Sequence, residues 1–177
     1  WLLCSWYTLA GSWEDNGIWE VPVDGGYFDR IFGGCNFDSL VLVDDDIFWS
    51  CFNNQILGKI QVGTPGADYE VLVDDIQVMH LIVQEDHVYY PEGGTWRVPV
   101  DGGSPQQVHA SETTPLFIHD GKLFYESYSG ALMTMEPAGG HEQVGLSEAD
   151  ADGMSRVVLG PDGAIWIGFQ GRIVKLT

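Results

Sequence analysis

At 177 residues, 45% of them hydrophobic, the chain is long enough to bury a substantial core, and its composition excludes wholesale disorder. Seven Lys or Arg against 26 Asp or Glu give a net charge of −19, a potential that repels phosphate backbones and anionic lipid surfaces and so argues against nucleic acid as a partner. No apolar run reaches the roughly 18 residues of a membrane-spanning helix, so no membrane insertion is expected.

In chain order, Trp1-Leu2-Leu3-Cys4 is too short for a signal sequence and lacks its basic start, while Thr177 follows directly on an apolar strand; both ends read as cut from a longer protein. Trp6-Tyr7 opens an aromatic strand. Asn16 to Gly26 then returns almost letter for letter as Glu92 to Gly103, Glu-Gly-Gly-Thr-Trp-Arg-Val-Pro-Val-Asp-Gly-Gly. Looser copies run through Leu57 to Val62, Leu132 to Met135 and Arg172 to Leu176. Taking Val21, Ile60, Val98, Met133 and Val174 as equivalent gives steps of 39, 38, 35 and 41 residues. A period near 40 built of short strands is the signature of a β-propeller blade.

Each copy reads as four antiparallel strands, A to D. Strand A is a nearly continuous apolar run suited to burial on both faces: Leu40 to Val43, Val78 to Val83, Pro115 to Ile118, Val157 to Leu159. A polar turn follows, at Asp44-Asp45-Asp46, Glu85-Asp86-His87, Asp120-Gly121-Lys122 and Pro161-Asp162-Gly163. Strand B is aromatic, with Ile47-Phe48-Trp49, Val88-Tyr89-Tyr90, Leu123-Phe124-Tyr125 and Ile165-Trp166-Ile167, and Trp49, Tyr90, Tyr125 and Trp166 are aligned as the wedge of each blade. These rings read as core before ligand-stacking groups. The B–C hairpins are Asn53-Asn54-Gln55, Pro91 to Gly94, Ser129-Gly130 and Gln170-Gly171. Strand C alternates, and Pro22 and Pro99 cannot donate to a ladder. Turns at Asp24-Gly25-Gly26 and Asp101-Gly102-Gly103 lead to a weak strand D: Phe28 to Ile31, Tyr69 to Leu72, Gln107 to Ala110, Glu142 to Leu146.

The expected fold is therefore all-β, one propeller domain with blades near 1–33, 38–73, 76–110, 114–146 and 155–177, the first lacking strand A and the last strand D. These five copies are expected to belong to a six-bladed ring, with five blades as the alternative, and the ring is expected to be monomeric.

Glu85-Asp86-His87-Val88-Tyr89-Tyr90 followed by Trp96-Arg97-Val98-Pro99-Val100-Asp101-Gly102-Gly103 resembles the repeat of TolB-like, six-bladed propellers of exported bacterial proteins. Gly160-Pro161-Asp162-Gly163-Ala164-Ile165-Trp166 is similar to the turn-and-strand element of streptogramin-lyase-type and lactonase-type propellers. The first resemblance implies an exported bacterial protein, periplasmic, cell-surface or secreted. Neither implies an activity.

Propeller ligands sit where loops enter strand A and where the B–C hairpins turn. Counting back from the first apolar residue of strand B aligns Asp38, Met79, Thr114 and Arg156 there, with Asp75, Glu112, Asp152 and Ser155 nearby in sequence. Asp38, Asp75, Glu112, Thr114, Ser155 and Arg156 are the candidate ligand-binding residues, suited to a polar ligand or a divalent ion, against the plainer reading that such loops are polar for solvation.

Glu148-Ala149-Asp150-Ala151-Asp152-Gly153 has the alternating oxygens of a calcium loop, but the spacing fails: Leu159 and Arg156 stand where closing acids belong. No cofactor is expected, calcium through Glu148, Asp150 and Asp152 being the weak exception. The five histidines are scattered, and no Ser-His-Asp order, Gly-x-Ser-x-Gly element or phosphate loop is present. Cys4, Cys35 and Cys51 lack zinc spacing; a Cys35–Cys51 bridge is possible in an oxidising compartment, with buried thiols preferred.

The expected role is non-enzymatic binding or scaffolding of a protein, peptide or glycan partner. The alternatives are a metal-dependent lyase or lactonase at the channel mouth, with acidic residues holding the ion and a His as base, and an accessory propeller of a larger peptidase.

Overall fold

The structure is a computed structural model that describes residues 2–6, 16–21, 24, 29–62, 68–140, 142–152, 154–160, 163–169 and 172–176. Alternating and apolar short runs separated by turn residues form eighteen strands and one short helix among those residues. The strands are β1 (Leu2–Trp6), β2 (Gly17–Val21), β3 (Asp29–Gly33), β4 (Phe37–Val43), β5 (Asp46–Cys51), β6 (Ile56–Gln61), β7 (Glu70–Val73), β8 (Ile82–Gln84), β9 (His87–Pro91), β10 (Thr95–Pro99), β11 (Gln106–His109), β12 (Thr113–His119), β13 (Lys122–Ser127), β14 (Leu132–Met135), β15 (Gln143–Leu146), β16 (Met154–Leu159), β17 (Ile165–Phe169) and β18 (Arg172–Leu176); α1 is Glu148–Ala151. They make five sheets in sequence order: β1–β3, β4–β7, β8–β11, β12–β15 and β16–β18. Among the described residues the first and the last have three strands each.

Two-residue loops set the register of the A–B hairpins. Val43 pairs with Asp46 and His119 with Lys122, and Asp44 and Asp120 take φ of 53° and 49°, the left-handed backbone that a tight hairpin needs and Asp tolerates. The C–D turns repeat in backbone as well as sequence. Gly102 and Gly103 have φ of 81° and 136°, Gly139 and Gly140 of 88° and 146°, and the Gly102 and Gly139 amides donate three residues back, to Pro99 O and Glu136 O. Pro99 ends β10, beyond the last β10–β11 pair at Arg97 and Gln106, so its missing N–H leaves no gap in that ladder.

The chain divides into two compact units, 1–88 with 98–105 and 89–97 with 106–177, so the third sheet contributes strands to both. In the first unit the core gathers Ile18, Ile31, Cys35, Ile47, Trp49, Cys51 and Ile60. Trp49 is fully buried, with the rings of Phe32, Phe37 and Tyr69 centred 4.9, 5.6 and 5.4 Å away. Across the ladder stands Gly58, where a Cβ would lie 2.4 Å from the indole; a glycine inside a strand here marks close approach, not weakness. Cys35 and Cys51 are joined as a disulfide with Cα atoms 5.9 Å apart, against the expectation of buried thiols, because the β3–β4 link brings Cys35 alongside the end of β5. Lys59 reaches Asp46 (3.0 Å), Asp101 (3.8 Å) and the carbonyl of Val100 (3.3 Å).

In the second unit Tyr90, Leu123, Tyr125, Leu132, Met135 and Ile167 are buried. Polar contacts join its sheets. His109 Nε2 pairs with Glu142, its ring lying 5.3 Å from that of Tyr125; Thr95 and Thr113 share a hydroxyl bond of 2.5 Å; Arg97 donates to Gln106 Oε1 (3.0 Å) and Pro137 O (3.4 Å).

Three further expectations are corrected. Met133 and Val174 lie across from Tyr125 and Ile167, as Gly58 lies across from Trp49, so the equivalents of Ile60 are Met135 and Leu176 and not Met133 and Val174. Ile47, Leu123 and Ile165 pair with Ile60, Met135 and Leu176, so Trp49, Tyr125 and Ile167 share a rank while Trp166 stands with Phe48 and Phe124, one place off. Trp166 instead lies under the Lys175 ammonium, 5.3 Å from the ring centre. In the third copy strand A is only Ile82–Gln84, not Val78 to Val83. The Ile76 amide donates to Gln55 O (2.9 Å) and the Leu81 amide to Ser39 Oγ (3.2 Å), so this segment is tied to the second sheet and its apolar residues Val78 and Leu81 are buried outside any ladder.

Candidate functional site

The predicted ligand residues fall at the ends of the sheets where strand A begins and the B–C hairpins turn. In the first unit, Asp38 is the extra residue of a bulge in β4, between the pairs Phe37–Cys51 and Ser39–Ser50. It is exposed, yet what burial its carboxyl has pushes the pKa above the ordinary value. Asp75 is exposed at the bend after β7 with φ of 58°. The hydrogen bonds of its neighbour Ile76 to Gln55 and of Leu81 to Ser39 bring Asp38 and Asp75 to one end of the second sheet.

In the second unit, Thr114 is half-buried in β12 opposite Glu126, Glu112 is exposed just before that strand, and Arg156 is exposed in β16 opposite Gly168. Ser155 is the extra residue of the β16 bulge, between the pairs Met154–Phe169 and Arg156–Gly168. The pairing puts Ser39, Thr114 and Arg156 at one rank; Asp38 stands one place away because its bulge falls earlier along strand A than the one in β12. Met79, the fourth aligned residue, is in no strand and is 74% exposed.

Glu148 and Asp150 belong to α1, and Asp152 is exposed after it, so a helical turn replaces the extended loop a calcium pattern needs; Gly153 lies outside the described residues, as does His141. Among the described residues no three His, Cys, Asp or Glu side chains gather as a metal ion would require.

Sequence reasoning missed an exposed ring at a B–C hairpin of each unit. Phe52, 47% exposed, and Tyr128, 85% exposed, each stand five places after the first apolar residue of strand B, Ile47 and Leu123. The same alignment that found Asp38, run forward instead of back, would have paired them. Both are held by their hairpins. The Phe52 amide donates to Asn36 O (3.0 Å), and Asn36 accepts from Asn16 Nδ2 (2.6 Å) and donates its amide to Asn53 Oδ1 (2.8 Å). Around Tyr128, the Gly130 amide donates to Ser127 O (2.8 Å), the Ala131 amide to Ser127 Oγ (3.1 Å), and the two serine hydroxyls of the turn lie 3.1 Å apart.

No protein-family model matches the chain, and no curated protein does. Solved structures do. Virginiamycin B lyase from Staphylococcus aureus is similar with a TM-score of 0.64 at 14% identity, over 90% of this chain and 62% of that one. A chain of the nidogen/laminin complex gives 0.64 at 14% over 87% and 64%, and the WD40 β-propeller domain of Doa1 gives 0.62 at 12% over 91% and 57%. The chain spans about 60% of the length of these neighbours. At such identities the likeness shows the fold alone, and that fold is a β-propeller of antiparallel, mostly four-stranded blades.

Proposed function

We propose that the chain is a non-enzymatic binding propeller, TolB-like in its repeat and part of a six-bladed ring in an exported bacterial protein, whose B–C hairpin end takes a protein, peptide or glycan partner. The observation that carries this reading is made in each unit by itself: Phe52 in the first and Tyr128 in the second are large exposed rings at the same place of their own B–C hairpin, a turn fixed by backbone and side-chain hydrogen bonds. Exposed aromatic side chains on fixed turns are efficient anchors because they have few rotatable bonds to lose when a partner covers them. The Cys35–Cys51 bridge favours an oxidising compartment, and one neighbour on the same fold is a chain of the nidogen/laminin complex.

Selection from a random peptide library and a glycan array on the intact chain tests it. Ligands are expected whose binding is lost in Phe52→Ala or Tyr128→Ala. Turnover of virginiamycin B or of quinupristin, named with the S. aureus lyase, in the presence of Mg²⁺ would replace this reading with the lyase one.

A further inference from the structure

The binding reading leaves the partner's chemistry open, and one patch of the first unit narrows it. The segment 74–81 crosses the end of the second sheet, fixed at Ile76 and Leu81 by the two hydrogen bonds to Gln55 and Ser39. Between those ties Val78 and Leu81 turn inward, 2% and 1% exposed, while Met79 stands 74% exposed. At the same end Phe52 is 47% exposed directly after Cys51, which the disulfide anchors to Cys35. Asp38, Asp74 and Asp75 are exposed there, and among the described residues none of them enters an ion pair. The described cations of this unit are engaged elsewhere, Lys59 with Asp46 and Asp101 and Arg30 over the Trp19 ring.

We propose that this patch docks a basic, apolar peptide segment of a partner protein, its cationic side chains against Asp38, Asp74 and Asp75 and its apolar ones against Phe52 and Met79. Charge complementarity selects this occupant. A net charge of −19 with seven cations steers positive segments toward the chain, and the three carboxylates are the local targets of that field. The raised pKa of Asp38 marks a carboxylate partly stripped of water with no cation to offset the loss, so an incoming guanidinium or ammonium gains more there than at a fully solvated acid. A phenyl face and a thioether suit the alkyl stems and delocalised charge of such a segment. The inference rests on the proposed binding role and sharpens it.

The test titrates the intact chain into a labelled nonapeptide of alternating arginine and leucine and reads anisotropy. Saturable binding is expected, weakened about tenfold or more by Phe52→Ser with Met79→Gln and by Asp38→Asn with Asp75→Asn. Raising the salt should weaken it too. Asn tolerates the left-handed backbone of position 75, and circular dichroism confirms that each variant folds. Val144→Ser, an exposed site on β15, should change nothing. Equal binding of the peptide with glutamate for arginine, or undiminished binding by both double variants, overturns the proposal. If library or glycan ligands are found that are not basic, or that are lost only in Tyr128→Ala, the patch proposal falls while the binding role stands. If no peptide or glycan binds at all, both fall.

Discussion

The two units join neighbouring sheets by different chemistry. In the first, a disulfide and three aromatic rings around Trp49 fill the gap, where the polar groups are mainly backbone amides and asparagines, and Lys59 adds a charged tie, to Asp101 and Val100 O. In the second, His109 with Glu142, Thr95 with Thr113 and Arg97 with Pro137 carry the joins around a smaller ring, Tyr125. One architecture thus tolerates a covalent, apolar joint and a polar one, because repeated blades need only fill the space between them, not repeat the same contact.

The largest effects should come from the apolar joint. Trp49→Ala empties the centre of the first core and should lower stability by about 3–5 kcal/mol, read by denaturant melts. Gly58→Ala, which pushes a methyl into the indole, should cost about 1–3 kcal/mol without removing any ring. If Gly58→Ala proves harmless, the close approach of strand and indole is wrong.

Next comes the bridge. Reducing Cys35–Cys51 opens a loop across a sequence separation of 16, for which the chain-entropy estimate is about 3 kcal/mol. The melting temperature should drop by roughly 6–12 °C for a chain of this size. Hydrogen exchange should quicken in β4 and β5 and remain slow in β13 and β14; uniform quickening would erase the contrast between the units.

The polar joint should respond less. His109→Ala removes a charge-assisted contact whose acid, Glu142, is 40% exposed, so water replaces much of what is lost; a cost of about 1 kcal/mol is expected, falling as salt is raised. A cost near that of Trp49→Ala would show that the second unit depends on this pair as the first depends on its indole.

What the chain declared in advance follows the same division. The turns were legible because Asp44, Asp120 and the paired glycines at 102–103 and 139–140 do a backbone job that few residues can do. The aromatic strands were legible through their spacing, apart from Trp166: the strand start at Ile165 aligns with Ile47 and Leu123, but the ring stands at the second place of β17 and Ile167 holds the rank of Trp49 and Tyr125. Val78 to Leu81 misled because burial, not pairing, makes a segment apolar, and nothing local announces that the Leu81 amide goes to Ser39 and that of Ile76, just before, to Gln55. Asp38 was found by offset from strand B and Asp75 by its place in the loop entering the next strand A, whereas Phe52 and Tyr128 were passed over because a ring beside an aromatic strand reads as core until its exposure is seen.

The smallest effect is a pH dependence, and it separates the units from the other side. Tyr90 and Tyr125 have their phenol pKa pushed up to about 12, in each case first by burial and then by a nearby carboxylate, Glu92 and Glu142 respectively. Unfolded tyrosine ionises near pH 10. Because the folded value is the higher one, the fold holds the neutral phenol: the stabilisation is complete below about pH 10 and is lost as pH climbs through 10 toward 12. Both phenols belong to the second unit, so alkali should loosen that unit under conditions where the bridge of the first still holds. Absorbance near 295 nm should show two tyrosines titrating late, and Tyr125→Phe should flatten the fall of the melting temperature above pH 10. If Tyr125→Phe melts along the same alkaline curve as the unaltered chain, the phenol is not held neutral by its surroundings, and the contrast between an apolar and a polar joint loses its electrostatic half.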